Sequence, residues 1–250
     1  MRRSQAVWSA LAAASFAGAC TEAEPTQGRF EETGEIIALS GGDAGPRGAC
    51  TLCHGLDGGG NGNLSPRLAG LNQGYFVRQM DYFAEGERRH PQMTWIADHI
   101  DWPSRQKLAN YYAAMPIPEG AASVPSEADC AAATLYHYGD PERGLPSCAS
   151  CHGDDGGGIG QGYPALAAQP APYLKAQLEA WANGERYGSP GNVKIAISHL
   201  LTPAEMEHLA GYSSALSGAT GYPEPPATCP RTRRPDPRSD ASRPPARAPG

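Results

Sequence analysis

The chain has 250 residues, a formal net charge of −6 at pH 7 and an isoelectric point of about 5.6. This length accommodates two domains of roughly 100 residues each. An acidic chain lacks the basic face with which nucleic-acid-binding proteins attract phosphates, so we expect no nucleic-acid partner. The 31 glycines and 24 prolines predict that much of the backbone lies in loops.

The N-terminal residues 1–19 have the pattern of an export signal. Arg2 and Arg3 precede a short, Ala-rich apolar stretch that is too short to span a bilayer. Small residues then lead to Cys20, and two cleavage patterns fit them. One resembles the bacterial lipoprotein signal, after which Cys20 is lipidated; the other is ordinary signal-peptidase cleavage near Ala19. Both predict a periplasmic protein, which the first would anchor to the membrane.

Two segments of the chain repeat each other. Cys50 and Cys148 begin matching Cys-x-x-Cys-His motifs that lie 98 residues apart, and a Gly-Gly-Gly run and a Gly-Glu-Arg segment recur at the same offset. A duplicated unit of this length predicts two similar domains. We place them at residues 34–118 and 126–218, with a linker at 119–125 and a disordered Pro- and Arg-rich tail at 223–250.

Each copy is predicted to consist of helices joined by Gly-rich loops. One helix precedes each Cys pair, at about residues 31–40 and 127–138. The last helix of the second copy has the strongest start signal: Thr202 is the N-cap, Pro203 occupies the first helical position and Glu205 completes a capping box. A middle helix carries apolar residues at helical spacing in both copies. These residues are Tyr75, Phe76, Met80 and Phe83, and Tyr173, Leu174, Leu178 and Trp181.

The two Cys-x-x-Cys-His motifs predict covalent haem attachment. Two thiols at this spacing form thioether bonds to the vinyl groups of a haem, and the adjacent His becomes the proximal ligand of the iron. A four-Cys zinc site or a redox dithiol would use the same cysteines, but a His follows each pair directly. We therefore predict two covalently bound haem c groups with their iron. Cys50, Cys53, Cys148 and Cys151 attach them, and His54 and His152 are the proximal ligands.

Each repeat resembles a class I cytochrome c domain, and the tandem pair resembles the periplasmic dihaem cytochromes of the c4 type. The likeness includes the Cys-x-x-Cys-His-Gly start, the Pro-x-Leu-Ala segment and the closing Ala-x-Tyr helix. It implies an all-α fold of two tandem cytochrome c domains, each with helices wrapped around one haem. In such families a proline carbonyl in a loop accepts a hydrogen bond from the proximal His ring. The resemblance implies this role for Pro66 and Pro164, which would set the His tautomer and orientation.

The distal ligand of the first haem is predicted to be Met93. It lies about 40 residues after the first motif, in a segment predicted to be a loop, and the family pattern also places an axial Met there. Met80 and Met115 lie on apolar helix faces, which favours core packing. His90 and His99 are interpreted as loop or surface histidines.

The second copy departs from this pattern, because Lys194 stands where Met93 stands in the first copy. Met206, the Met of that copy, falls on an apolar helix face and is predicted to lie in the core. Lys194 or His199 would then ligate the second haem, or its iron would remain open. Since Met ligation raises the potential, the second haem should have the lower potential of the two.

A disulfide bond is implied by the same resemblance. Export compartments favour disulfides. Cys130 lies near the first helix of the second copy, and Cys229 follows its last helix; in class I cytochromes these two helices pack together. We therefore expect a Cys130–Cys229 bond, and the alternative is two free or intermolecular thiols.

These features predict an electron carrier that passes single electrons between redox proteins of the periplasm or the inner membrane. Such a carrier catalyses no bond chemistry. An oxidoreductase, or the cytochrome subunit of a dehydrogenase for thiosulfate or sulfide oxidation, is the second hypothesis. It depends on the unusual second haem, because a labile or missing sixth ligand would expose the iron to substrate. A gas sensor at the same iron is the third.

Overall fold

Each repeat contains five α-helices in the same order, within residues 32–117 and 127–216 that this computed structural model describes. The first five are α1 (Gly34–Ser40), α2 (Thr51–His54), α3 (Gln73–Ala84), α4 (Pro91–His99) and α5 (Trp102–Ala114). The second five are α6 (Glu127–Tyr138), α7 (Ala149–His152), α8 (Ala171–Ala182), α9 (Val193–His199) and α10 (Pro203–Ala215). Short 3₁₀ turns occur at Gly42–Ala44, Pro46–Gly48, Pro141–Arg143, Gly160–Gly162 and Pro190–Asn192.

The predicted all-α fold is confirmed: these two ranges contain isolated backbone bridges but no β-strand. No helix within them is both long and apolar enough to cross a membrane. The predicted signal segment, linker and tail lie outside the described residues. Cys130 lies in α6, whereas Cys229 lies outside the described residues, so the Cys130–Cys229 bond stays a prediction.

The closing helix of each repeat begins at a side-chain cap. The Thr202 hydroxyl accepts a hydrogen bond from the Glu205 amide at 3.2 Å, and the Glu205 carboxylate accepts one from the Thr202 amide at 2.8 Å. This is the predicted capping box. Asp101 caps α5 in the first repeat, where its carboxylate accepts from the Ser104 amide at 2.9 Å. Loss of such a cap costs about 1 kcal/mol of stability.

The closing helix of each repeat packs across the other helices to form the core. In the first repeat α5 packs on α1 and α3, and Phe76 stacks on Tyr112 with ring centroids 5.8 Å apart. In the second repeat α10 packs on α6 and α8. Met80 and Met206 are buried in these cores and Met115 packs against the first, which confirms the packing roles predicted for them.

Helices α1 and α5 lie in close contact at Gly34. A Cβ atom at this position would lie 2.1 Å from the Lys107 carbonyl oxygen and 2.8 Å from the Tyr111 Cβ atom. Both contacts are far inside van der Waals distance, so any larger residue would force the two helices apart. Glycine at this position is therefore required by packing.

Gly34→Ala should lower the free energy of unfolding by about 1–3 kcal/mol, the usual cost of overpacking a core. Denaturant unfolding of the oxidised holoprotein, followed by circular dichroism, measures it. Gly211→Ala is the matched control, because a Cβ on Gly211 of α10 meets no atom within 4 Å. This variant should be as stable as wild type or gain up to about 1 kcal/mol from helix propensity. Equal stability of Gly34→Ala and wild type would contradict the packing argument.

The two repeats pack directly against each other through the loop that follows each motif. The Arg67 amide donates to Gln169 Oε1 at 3.0 Å, and Gln169 Nε2 donates back to the Arg67 carbonyl at 2.9 Å. The fully buried Arg67 side chain also reaches the Ala167 carbonyl, 3.0 Å from its Nη2. Backbone and side-chain groups of both repeats therefore take part in this interface.

Candidate haem sites

The first motif is presented by α2, a single helical turn that ends at His54. The His54 ring is 7% exposed, and its Nδ1–H donates to the Pro66 carbonyl at 2.8 Å. Burial lowers the pKa of His54, so the ring is neutral. With Nδ1 engaged as a donor, Nε2 is left with its lone pair, which is the state that a metal-binding histidine requires.

The second motif repeats this arrangement on α7. His152 is 4% exposed, and its Nδ1–H donates to the Pro164 carbonyl at 2.7 Å. Burial, aided by the charge of nearby Lys194, lowers the pKa of His152 to about 3. Both proximal candidates are therefore neutral, oriented and shielded from water.

One continuous cavity joins the two motifs. Its walls are mostly apolar, as an apolar prosthetic group requires. Its lining includes Cys50, Cys53, His54, Phe76, Phe83 and Ile96 from the first repeat, and Cys148, His152, Leu174, Leu178 and Ile197 from the second. Haem fits these residues, because each half of the cavity offers a cysteine thiol, an imidazole with a free nitrogen and an apolar wall.

The zinc alternative does not fit the described residues. Across residues 32–117 and 127–216, no three His, Cys, Asp or Glu side chains converge to hold a metal ion. The four cysteines of the motifs form no disulfide bonds. Their thiols are thus available for thioether bonds to a haem.

Met93 lies in a helix, so the predicted loop was wrong. It occupies the first turn of α4, which begins at Pro91. His90 caps this helix in an extended conformation, and its Nδ1 accepts a hydrogen bond from the Met93 amide at 3.2 Å. A capping side chain followed by Pro at the first helical position is a readable helix start. Met93 is half-buried and lines the cavity. His90 and the core residue Met80 also line it.

Lys194 lines the second half of the cavity, in the first turn of α9. Burial lowers the pKa of its ammonium group. Within the described residues its Nζ has no hydrogen-bond or ion-pair partner. His199 is exposed and Met206 is buried in the core, and neither lines the cavity. Of the residues considered as distal ligands in this repeat, only Lys194 reaches the site.

The polar lining between the two halves of the cavity was not predicted from the sequence. Arg88, Gln79 and Tyr75 from the first repeat meet Arg186 and Gln177 from the second. The signal was present, because the Gly-Glu-Arg segment and the Tyr and Gln of the middle helix recur in both copies. The pattern alone did not indicate that the two copies of this segment face each other.

Comparison with known proteins identifies the family. A model of the cytochrome c family matches residues 145–212. The chain is 36% identical to a thiosulfate dehydrogenase electron acceptor of Thiomonas intermedia, over 67% of this chain and 78% of that protein. It is 35% identical to cytochrome c4 of Thiocapsa roseopersicina, over 77% of this chain and 100% of that protein.

A solved structure gives the same fold. The structure of thiosulfate dehydrogenase (TsdBA) from Marichromatium purpuratum superposes with a TM-score of 0.65 at 39% identity, over 73% of this chain. The match spans 39% of that longer protein. This chain belongs to the dihaem class I cytochromes of the c4 type: it binds two haem c groups covalently and transfers electrons.

Proposed function

We propose that this cytochrome takes electrons, one per haem, from a thiosulfate dehydrogenase and passes them to a further redox protein of the periplasm or the inner membrane. The observation that carries the proposal is the 36% identity to a thiosulfate dehydrogenase electron acceptor over 78% of that protein. The number of electrons also agrees with the number of haems, since joining two thiosulfate ions as tetrathionate releases two electrons. A dihaem protein has one iron for each electron.

The residues of the two sites are part of this proposal. Residues 34–118 and 126–218 each hold one haem through the two cysteines of their motif. His54 and His152 are the proximal ligands, oriented by the Pro66 and Pro164 carbonyls. The distal ligands are Met93 and Lys194, which line the two halves of the cavity.

We also propose export and anchoring from the sequence pattern at the N-terminus. The charged start, the short apolar stretch and the small residues before Cys20 support cleavage on export to the periplasm. Lipidation of Cys20 would then hold the cytochrome at the membrane. An oxidising periplasm would support the Cys130–Cys229 disulfide bond.

The test is reduction by a thiosulfate dehydrogenase. Oxidised holoprotein, mixed with a catalytic amount of such an enzyme and excess thiosulfate, should show the visible absorption of both reduced haems. Thiosulfate without the enzyme should reduce neither haem. A protein that dithionite reduces fully but the enzyme leaves oxidised would contradict the proposal. Reduction by thiosulfate alone, with formation of tetrathionate, would instead favour the oxidoreductase hypothesis.

A further inference from the structure

Two buried arginines cross between the repeats in a reciprocal arrangement. Arg88 is 8% exposed and Arg186 is 5% exposed, and they occupy equivalent positions in the two copies. Their backbones form an isolated antiparallel bridge. The Tyr187 amide donates to the Glu87 carbonyl at 3.1 Å beside it.

Each guanidinium group is held by side chains of both repeats. Arg88 donates to Gln79 of its own repeat at 3.0 Å, and to Tyr173 and Gln177 of the other repeat at 2.8 and 2.9 Å. Arg186 mirrors it, donating to Gln177 of its own repeat at 2.7 Å.

Arg186 also donates to two side chains of the first repeat: to Gln79 Oε1 at 3.0 Å and to the Tyr75 hydroxyl at 3.3 Å. All of these acceptors are amide or phenol oxygens, and none is a carboxylate. The network therefore places two arginines side by side with no carboxylate between them.

The charges of the cavity are strongly one-sided. Its lining contains six cationic side chains and one acidic side chain, Glu185, which is exposed. The cations are Arg67, Arg78, Arg88, Arg89, Arg186 and Lys194. None of them pairs with a carboxylate among the described residues. This excess of positive charge lies inside a protein whose formal net charge is −6.

Buried cations are costly without anions, so a group that binds in this cavity is expected to bring negative charge to them. The Nε atoms of Arg67 and Arg186 are buried without a hydrogen-bond partner. Burial and the neighbouring charge of Arg88 lower the pKa of Arg186. That negative charge would have to lie at the boundary between the two halves of the cavity, where Arg88 and Arg186 meet.

We propose that Arg88 and Arg186 form a shared anion-binding site for the propionate groups of both haems, and that this site couples the two reduction potentials. Each haem carries two carboxylates and would supply negative charge to this site. A positive charge near an iron favours its reduced state, because reduction adds one electron. Since each arginine is held by both repeats, removing either one should act on both haems.

The test is a mediated redox titration of the holoprotein, with the two haems resolved by absorption and electron paramagnetic resonance. Arg88→Gln should lower the reduction equilibrium constant of both haems about tenfold, which is 59 mV for a one-electron couple. Arg186→Gln should do the same. Arg47→Gln removes an equal charge at an exposed position outside the cavity, and should shift neither haem by more than twofold.

Two further variants separate charge from packing. Arg88→Lys keeps the cation and should retain both equilibrium constants within threefold of wild type. Tyr173→Phe removes one neutral acceptor and should behave likewise. A shift confined to one haem in both Gln variants, or a Tyr173→Phe shift as large as that of Arg88→Gln, would overturn the shared site. Mass spectrometry of the denatured protein must show both haems in every variant. Chemical mediators make this result independent of the physiological donor.

Discussion

Met93→Ala should lower the potential of the first haem by on the order of 100 mV, because thioether ligation favours ferrous iron and axial ligands are the main control of haem potential. The variant should also lose the weak red charge-transfer band of a ferric His/Met haem. Absorption and redox titration of the oxidised holoprotein measure both effects. The potential of the second haem should change much less, since Met93 belongs to the first half of the cavity.

Two methionine variants control this experiment. Met206→Leu changes a core methionine that does not line the cavity, so the band and both potentials should persist. Met80→Leu is the more demanding control, because Met80 is buried in the first core and also lines the cavity. Loss of the band in Met80→Leu, with its survival in Met93→Ala, would assign the ligand to Met80.

Local signals in the sequence predicted most of the helices. The capping box at Thr202 acts within one helical turn, so the sequence contains the whole interaction. The start of α4 was readable in the same way, from Pro91 and a capping side chain. It was missed because the capping residue is His90, a less common cap than Ser, Thr, Asp or Asn.

The chemistry of each motif was equally local, whereas the contacts between the repeats were not. The bonds that join Arg88 to Tyr173, and Arg186 to Tyr75, connect residues 85 and 111 positions apart. Repetition marked these residues in both copies, but it did not show that the two copies face each other. The contact of Arg67 with Gln169 has no repeat signal, because their counterparts in the other copy are Ala165 and Leu71.

Lys194→Met should convert the second haem into a copy of the first. The side chain lines the same cavity as His152, the proximal candidate of this repeat. Burial lowers the pKa of its amine, which favours the deprotonated form that binds iron. Exchanging this nitrogen ligand for a thioether should raise the second potential by on the order of 100 mV. The red band should gain a second contribution.

Lys194→Ala tests whether Lys194 is the ligand, because it removes the amine without supplying another ligand. The second haem should become high-spin in the ferric state while the first remains low-spin, and electron paramagnetic resonance distinguishes the two. Lys175→Met is the matched control, since Lys175 pairs with Glu207 at the surface and lies outside the cavity; its spectra should equal those of wild type. If Lys194→Ala also keeps a low-spin second haem, Lys194 is not the ligand. A second haem that is high-spin in the wild-type protein would indicate an open iron, and would make small-molecule binding at that iron the next measurement.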